Sequence, residues 1–258
     1  MKNILIPFDF SNVSLNALEY AVKFARNDET ITLFLLHIND GNLKESEISG
    51  KFQPIISKYE GPLNPQIETV IKSGKLIPSI LDIQKKLKVD LIIMGTKGAE
   101  GEDDVATRTS KFVQEADLPV LVIPEKAKYF RLETIILTLG KDKIADRTPL
   151  YVLLDVSRRF NARVHVLTVH QATVEMGYSE EDESNETTLQ YFLEMFYSHH
   201  SFAENEDIEQ GIKEYIEKYD IDMLAIMPKT HLKNDEASEG RLTRHLTLHS
   251  DIPLLVLD

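Results

Sequence analysis

The chain repeats itself, and this constrains its fold more than any single motif does. Four apolar segments of the first half recur in the same order about 131 to 134 residues further on. The matched pairs are 4–8 (ILIPF) with 135–139 (IILTL), 33–38 (LFLLHI) with 164–169 (VHVLTV), 89–94 (VDLIIM) with 221–226 (IDMLAI), and 117–123 (DLPVLVI) with 251–257 (DIPLLVL). Such self-similarity indicates one folding unit that occurs twice. The 258 residues allow this, because a typical domain holds roughly 100–150 residues.

Each half alternates short apolar strands with amphipathic helical segments. The helical patterns cover 14–25, 79–88, 148–160 and 207–218. Strands that are apolar throughout are buried on both faces, as in a parallel sheet covered by helices. We therefore predict an α/β fold with two repeated Rossmann-like five-stranded parallel-sheet domains. They span residues 1–126 and 132–258 and are joined by a charged stretch, 125–132 (EKAKYFRL).

Two stretches do not fit this alternation. Residues 44–63 carry scattered Gly and Pro with a weak helical pattern, and residues 172–186 (ATVEMGYSEEDESNE) form an acidic run. We interpret both as solvated loops or disordered inserts. The alternative is a segment that docks a partner protein.

Three features of the first half resemble the universal stress protein family. They are the run ILIPFDFSNVSLNALEYAVKFA, a GTKG turn after IIM, and a last strand entered through Asp-Leu-Pro. The resemblance covers essentially all of both halves, although the individual motifs are short. It implies a tandem stress-response protein of the bacterial cytoplasm with a Rossmann-like fold. Some members of the family bind ATP through an Asp after the first strand and a G-x2-G-x9-G-[Ser/Thr] turn, and others bind no nucleotide.

Ligands of doubly wound sheets bind beyond the carboxyl ends of the strands, at the topological switch point. Residues at those ends are therefore the candidates for contact with ATP. They are Pro7, Asp9, Ile38, Met94, Gly95, Gly98, Thr107, Arg108 and Thr109. In ATP-binding relatives the counterpart of Asp9 lies against the ribose and phosphates. The alternative is a loop Asp that accepts backbone N–H bonds or caps the following helix.

The GTKG turn carries only the first part of the family's phosphate motif. Gly95 and Gly98 would let backbone N–H groups approach a phosphate. After nine intervening residues, Arg108 stands where the family has Gly. Alignment on the Asp-Leu-Pro strand instead makes residues 106–109 (ATRT) the counterpart of the family's Gly-Ser-x-Thr, and we prefer this register because Thr109 then matches Thr243. Acidic residues at 100, 102, 103 and 104 would repel a triphosphate, whereas Lys97 and Arg108 would attract it.

The second half lacks the groups that this binding mode needs. Gly140 replaces Asp9, Met227 and Thr230 replace the two glycines, and Pro228 removes a backbone donor. We expect no ATP there. The resemblance implies a supporting role, in which the halves form an internal pseudo-dimer through the last strands, 120–123 and 254–257, with homodimerisation left open.

Other chemistries find little support in the composition. The chain has no Cys, which excludes disulfides, thiol catalysis and Cys-ligated zinc. Neither a P-loop nor a Gly-x-Ser-x-Gly elbow occurs. His199 and His200 are adjacent on a strand and should point to opposite faces, while His245 and His249 have ligand-compatible helical spacing. Without HExxH or Cys nearby, we interpret these residues and His231 as surface or structural histidines rather than as metal ligands.

Charge and hydropathy limit the partners. The net charge of −13 disfavours nucleic acid and anionic membranes. The first ten residues, MKNILIPFDF, are too short an apolar run for a signal peptide, and no segment approaches the ~20 apolar residues of a membrane span. A cytoplasmic location is expected.

Three functions remain open at this point. The first is a stress-response protein that acts by binding or regulation without a dedicated catalytic site. The second is an ATP-binding switch or slow ATPase that uses the first cleft. The third is an enzyme that acts on a small molecule in the same cleft. Its only support is that α/β sheets in general bind ligands at their switch points.

Overall fold

The computed structural model describes residues 1–98, 107–140, 142–170, 178–228 and 239–257. The chain divides into two compact units, Met1–Phe130 and Arg131–Asp258. The division falls inside the charged stretch 125–132. Among the helices of the described residues, none is both long and apolar enough to cross a membrane.

Unit 1 is a parallel sheet with a switch point between β1 and β4. Its strands are β1 (Asn3–Pro7), β2 (Thr32–Asn39), β3 (Gln66–Ser73), β4 (Leu91–Thr96) and β5 (Val120–Pro124). Its helices are α1 (Asn12–Ala25), α2 (Glu45–Ile56), α3 (Leu76–Leu87) and α4 (Arg108–Glu115), with a 3-10 turn at Ser57–Tyr59. The strand order is β3-β2-β1-β4-β5, and every neighbouring pair is parallel. The chain thus winds first to one side of β1 and then to the other.

Unit 2 repeats this arrangement. Its strands are β6 (Thr134–Leu139), β7 (Arg163–His170), β8 (Tyr197–Glu204), β9 (Met223–Ile226) and β10 (Leu254–Val256). Its helices are α5 (Thr148–Phe160), α6 (Glu180–Leu193), α7 (Ile208–Tyr219) and α8 (Glu239–His249), with a 3-10 turn at Glu194–Phe196. The order is β8-β7-β6-β9-β10, again parallel throughout. The predicted α/β fold with two repeated five-stranded parallel sheets is confirmed.

The loop interpretation of residues 44–63 was wrong. Most of that stretch is α2, which buries Ile48 and Phe52 against the sheet although Gly50 and Pro54 lie inside it. The N3 residue Glu47 accepts the Lys44 backbone N–H at 2.9 Å and so satisfies a donor at the start of the helix. Burial of two large apolar side chains outweighs the weak helix propensity of this sequence.

The same interpretation of residues 172–186 was wrong for its described part, because α6 begins at Glu180; residues 172–177 lie outside the described residues. Ser179 caps this helix by accepting the Asp182 backbone N–H at 3.1 Å, and the Asp182 carboxylate accepts the Ser179 N–H at 3.0 Å. The first turn holds four acidic residues, at 180–183. Negative charge is favourable there because the N-terminal end of a helix carries partial positive charge.

An Asp at the same place in each repeat ties the first strand of its unit to the fourth. Asp90 accepts the backbone N–H groups of Lys2 and Asn3 at 2.6 and 3.0 Å. Asp222 accepts those of Glu133 and Thr134 at 2.8 and 3.0 Å, and it also binds the Arg131 guanidinium. Asp90 is exposed, whereas Asp222 is only 8% exposed.

This difference in burial predicts unequal losses of stability. Asp222→Ala removes the buried acceptor of two backbone N–H groups, those of Glu133 and Thr134, so we expect it to lower the free energy of unfolding by about 2–4 kcal/mol. Asp90→Ala should cost less than about 1 kcal/mol, because water can replace the exposed carboxylate. Urea denaturation of the two variants measures this, and equal losses would contradict it.

Candidate functional site

The candidate site lies at the carboxyl edge of the unit 1 sheet, where β1 and β4 end side by side. Asp9 follows β1, and Gly98 follows β4 by two residues. The helices that follow these strands, α1 and α4, begin at the same edge, because each returns from the end of its strand. The topology therefore brings the predicted residues to one edge from four stretches of chain, namely the ends of β1, β2 and β4 and the start of α4.

Asp9 is engaged by the start of α1. Its carboxylate accepts the Ser11 backbone N–H at 3.0 Å, and Ser11 in turn caps α1 by accepting the Ser14 N–H at 3.2 Å. Burial acts to raise the pKa of Asp9, but hydrogen bonds from Ser11 and Ser14 outweigh it and hold the pKa below its ordinary value. The carboxylate is thus ionised at neutral pH. Of the two roles open to Asp9, the backbone-bonding one is present in the structure.

Gly95 is where α1 packs against β4. A Cβ atom at this position would lie 2.6 Å from both Val13 Cγ1 and the Val13 carbonyl oxygen. Because the second of these atoms is backbone, no side-chain rotation relieves the overlap. The glycine is therefore needed for helix-to-strand packing, whatever it does for a ligand.

Gly98 has the backbone freedom that the sequence predicted for a phosphate loop. Its φ is +80°, in the left-handed region that favours glycine. Its N–H donates to the Thr96 hydroxyl at 3.1 Å, which fixes the start of the loop. The acidic residues at 100 and 102–104, and Ala106, lie outside the described residues.

The hydroxyls of the second part of the motif hold α4 in place. Thr107 caps α4 by accepting the Ser110 backbone N–H at 3.1 Å. Thr109 is 6% exposed, and its hydroxyl donates to the Gly95 carbonyl oxygen at 2.9 Å. Arg108, between them, is exposed. In the register that pairs 106–109 with the family motif, both threonines thus make hydrogen bonds that hold α4, and the Arg108 side chain is exposed to solvent.

The remaining predicted residues belong to the strands themselves. Pro7 ends β1 and is buried opposite Leu36, and Met94 is buried in β4 opposite Val122. Ile38 lies near the end of β2 and is partly exposed. These three residues form the wall of the carboxyl edge rather than its polar surface.

Sequence reasoning missed an aromatic cluster beside Asp9. It consists of Phe8, Phe10, His37 on β2 and Phe52 on α2. The Phe10 ring centroid lies 5.2 Å from that of Phe8, 4.9 Å from that of His37 and 4.8 Å from that of Phe52. His37 Nδ1 lies 2.8 Å from the Phe8 carbonyl oxygen, and it donates this bond because a carbonyl only accepts. The alternation Phe-Asp-Phe at 8–10 was the one available signal.

Unit 2 has a different arrangement at the corresponding edge. The loop after β6 is held by Asn185, whose amide accepts the Ile144 N–H at 2.8 Å and donates to the Asp142 carbonyl at 2.9 Å. Gly140 stands in open space, with no atom within 4 Å of an added Cβ. Pro228 follows β9 and has no N–H to offer; Thr230 and His231 lie outside the described residues.

The histidines of β7 and β8 occupy both faces of the unit 2 sheet. The His199 ring lies 4.4 Å from that of His165, and its Nε2 lies 3.1 Å from the Tyr215 hydroxyl on α7. His200 instead has its Nε2 2.9 Å from the Thr168 hydroxyl, near Asp182 and Glu186 of α6. The prediction that the two neighbours point to opposite faces is confirmed. Within the described ranges, no group of three or more His, Cys, Asp or Glu residues could hold a metal ion.

The packing role of Gly95 predicts a change in stability. Gly95→Ala should lower the free energy of unfolding by about 1–3 kcal/mol, because α1 has to move away from β4. Gly140→Ala is the matched control and should be neutral or slightly stabilising, since its Cβ meets open space. Thermal and urea denaturation of both variants measure the effect. A Gly95→Ala variant with unchanged stability would contradict the packing role.

The paired histidines predict acid sensitivity. Burial lowers the pKa of His165, and the neighbouring His199 and Arg163 lower it further; burial also lowers the pKa of His200, against Asp182 and Glu186. These two histidines therefore bind protons more readily in the unfolded chain than in the folded one. As the pH drops below about 6.5, this difference lowers the free energy of unfolding, and above that pH it has no effect. His165→Gln should flatten the fall in unfolding free energy between about pH 7.5 and 5.5. Equal slopes for wild type and His165→Gln would refute this.

Comparison with known proteins places this arrangement in a family. Residues 1–124 match the model of the Universal stress protein family. A universal stress protein from Methanocaldococcus jannaschii is 27% identical over 143 residues, which are 49% of this chain and 84% of that protein.

Two solved structures have the same fold over the whole chain. The crystal structure of a universal stress protein from Archaeoglobus fulgidus superposes with a TM-score of 0.73 at 15% identity, covering 100% of this chain and 98% of that one. A protein of unknown function from Pseudomonas aeruginosa superposes with a TM-score of 0.63 at 16% identity, covering 100% and 92%. Residues 1–124, nearly the whole of unit 1, thus form a domain of the universal stress protein family, and unit 2 repeats the topology of that domain.

Proposed function

We propose that this protein is a cytoplasmic stress-response protein that acts by binding and regulation through the unit 1 cleft, without a dedicated catalytic group. The observation that supports it is that the polar side chains predicted to contact ATP there hold the neighbouring helices in place. Asp9 bonds the start of α1, Thr107 caps α4 and Thr109 ties α4 to β4. A general base or nucleophile acts when it is within reach of the substrate, and these groups are committed to backbone partners.

The nature of the ligand follows from the charge at the same edge. Two helices, α1 and α4, begin there, and the positive ends of helices favour anions. Lys97, next to Gly98 in the chain, and Arg108, the first residue of α4, add two exposed cations. The sequence between them contains four acidic residues, at 100 and 102–104, whose charge opposes an anion. An adenine nucleotide is the candidate ligand, and the alternative function is an ATP-binding switch or slow ATPase that uses these same groups.

Unit 2 is proposed as a supporting unit with a degenerate site. Gly140 supplies no carboxylate, and Pro228 supplies no backbone donor at the end of β9. The side chain of Asn185 is bonded to two backbone groups of the loop after β6, the Ile144 N–H and the Asp142 carbonyl. Any nucleotide should therefore bind once per chain.

Titration of labelled ATP into the full chain tests the proposal. We expect saturable binding of one ATP per chain, and recovery of the ATP unhydrolysed. The double variant Lys97→Ala/Arg108→Ala should weaken binding by about threefold to thirtyfold, because each exposed charge contributes roughly 0.3–1 kcal/mol. These positions are chosen because Asp9 and Thr109 also support the fold.

Lys85→Ala is the matched control, since the exposed Lys85 lies in the last turn of α3 at the opposite edge of the sheet. It should leave the affinity unchanged. Turnover of ATP that the double variant abolishes would favour the ATPase instead. No binding at millimolar ATP would refute the nucleotide as ligand, and a thermal-shift screen of metabolites would then test the enzyme hypothesis.

A further inference from the structure

Phe10 has an unusual backbone for its residue type. It stands between Asp9 and Ser11 with a φ of +64°, in the left-handed region where a Cβ atom crowds the following carbonyl. Residues held in this way are concentrated at sites that bind or switch, and they persist where side-chain contacts compensate. The contacts of Phe10 are those of the aromatic cluster.

The cluster has a buried floor and a partly exposed cover. Phe8 and Phe52 are each 2% exposed and touch each other, with ring centroids 5.7 Å apart. His37 lies 6.3 Å from Phe52 and is fixed by its bond to the Phe8 carbonyl. Phe10 lies across these three rings and remains partly exposed, so the floor is complete without it. Lys51 Nζ, 5.8 Å from the Phe10 centroid, completes the surroundings of the ring.

The positions of unit 2 that match Phe8 and His37 hold no aromatic ring. They are Leu139 and Thr168, 131 residues further along the chain. Core packing of the repeated fold thus does not require aromatic rings at these two positions. The rings at the corresponding edge of unit 2 come from other positions, where Phe202 of β8 stacks on His170 at the end of β7.

We propose that Phe8, His37 and Phe52 form a stacking seat for the planar base of the ligand, and that Phe10 is a cover that leaves the seat when the base enters. The inference rests on the proposed binding of a nucleotide by unit 1. A purine ring can replace the edge and tilted contacts of Phe10 with stacking of its own. When Phe10 leaves, its backbone can also return from the left-handed region to a more favourable conformation. Because Phe10 directly follows Asp9, this change affects the backbone beside the Asp9 carboxylate.

The chain has no Trp, so Phe10→Trp places a single indole at the cover, and its emission can be excited selectively over that of Tyr. We expect ATP to shift its emission to longer wavelength, as the indole moves from the floor into water. The shift should saturate at the ATP concentration found by the labelled titration. Adenosine should produce the same shift, whereas inorganic tripolyphosphate should not, because it has no base. Phe130→Trp, where the native ring packs on Tyr20 with centroids 4.8 Å apart, is the matched control and should stay silent.

A second variant keeps the test decisive if the larger indole disturbs the fold. Phe10→Ala leaves the seat open and should tighten adenosine and ATP by about threefold or more, while Phe10→Tyr should bind as wild type does. ATP binding without a change in indole emission, or an unchanged affinity of Phe10→Ala, would overturn the cover and leave the proposed function standing. Binding by Phe10→Ala but not by wild type would refute the proposed function and also overturn the displacement of Phe10, because the native ring would then not leave the seat. Binding by neither would overturn both.

Discussion

The contact of Val13 with Gly95 is the constraint on which the cleft depends. In a parallel sheet the helix after β1 crosses over its neighbours, and here α1 starts so close to β4 that only a glycine fits beneath it. The same closeness brings Asp9, the Thr109 hydroxyl and the loop around Gly98 to one edge of the sheet. Packing of α1 on β4 thus requires the same geometry as a phosphate-binding motif. A match to the motif therefore does not show which of the two, packing or phosphate binding, the glycine serves.

The strands that the sequence predicted are those buried on both faces. Segments such as 4–8 and 91–94 are apolar throughout because helices cover them on either side. The strands β3 and β8 were not identified individually, because each lies at one end of its sheet order and mixes polar with apolar residues. Helices α2 and α6 were not predicted because other features mask their helical periodicity. These features are Gly50 and Pro54 in α2 and the acidic run at 180–183 in α6. Both helices are stabilised by burial and capping.

The sequence predicted where the candidate site lies, but not the hydrogen bonds that its residues make. Strand order places any ligand at the ends of β1 and β4, and the sequence named Asp9, Gly95 and Gly98 there. That Thr109 bonds the Gly95 carbonyl depends on a distance set by the whole sheet. The sequence did not predict the aromatic cluster, because Phe10 and Phe52 are far apart in the chain and make contact only when β2 and α2 are folded. Local sequence carries no record of such a contact.

One fold occurs twice in this chain, and we propose that only its first copy binds a ligand. Amide hydrogen exchange of the full chain, followed by mass spectrometry with and without ATP, tests it most directly. Slower exchange is expected in peptides that contain residues 7–14 and 95–98, with no change in peptides that contain residues 139–140 and 226–228. Protection of the unit 2 peptides, or identical exchange across the whole chain at saturating ATP, would contradict the account.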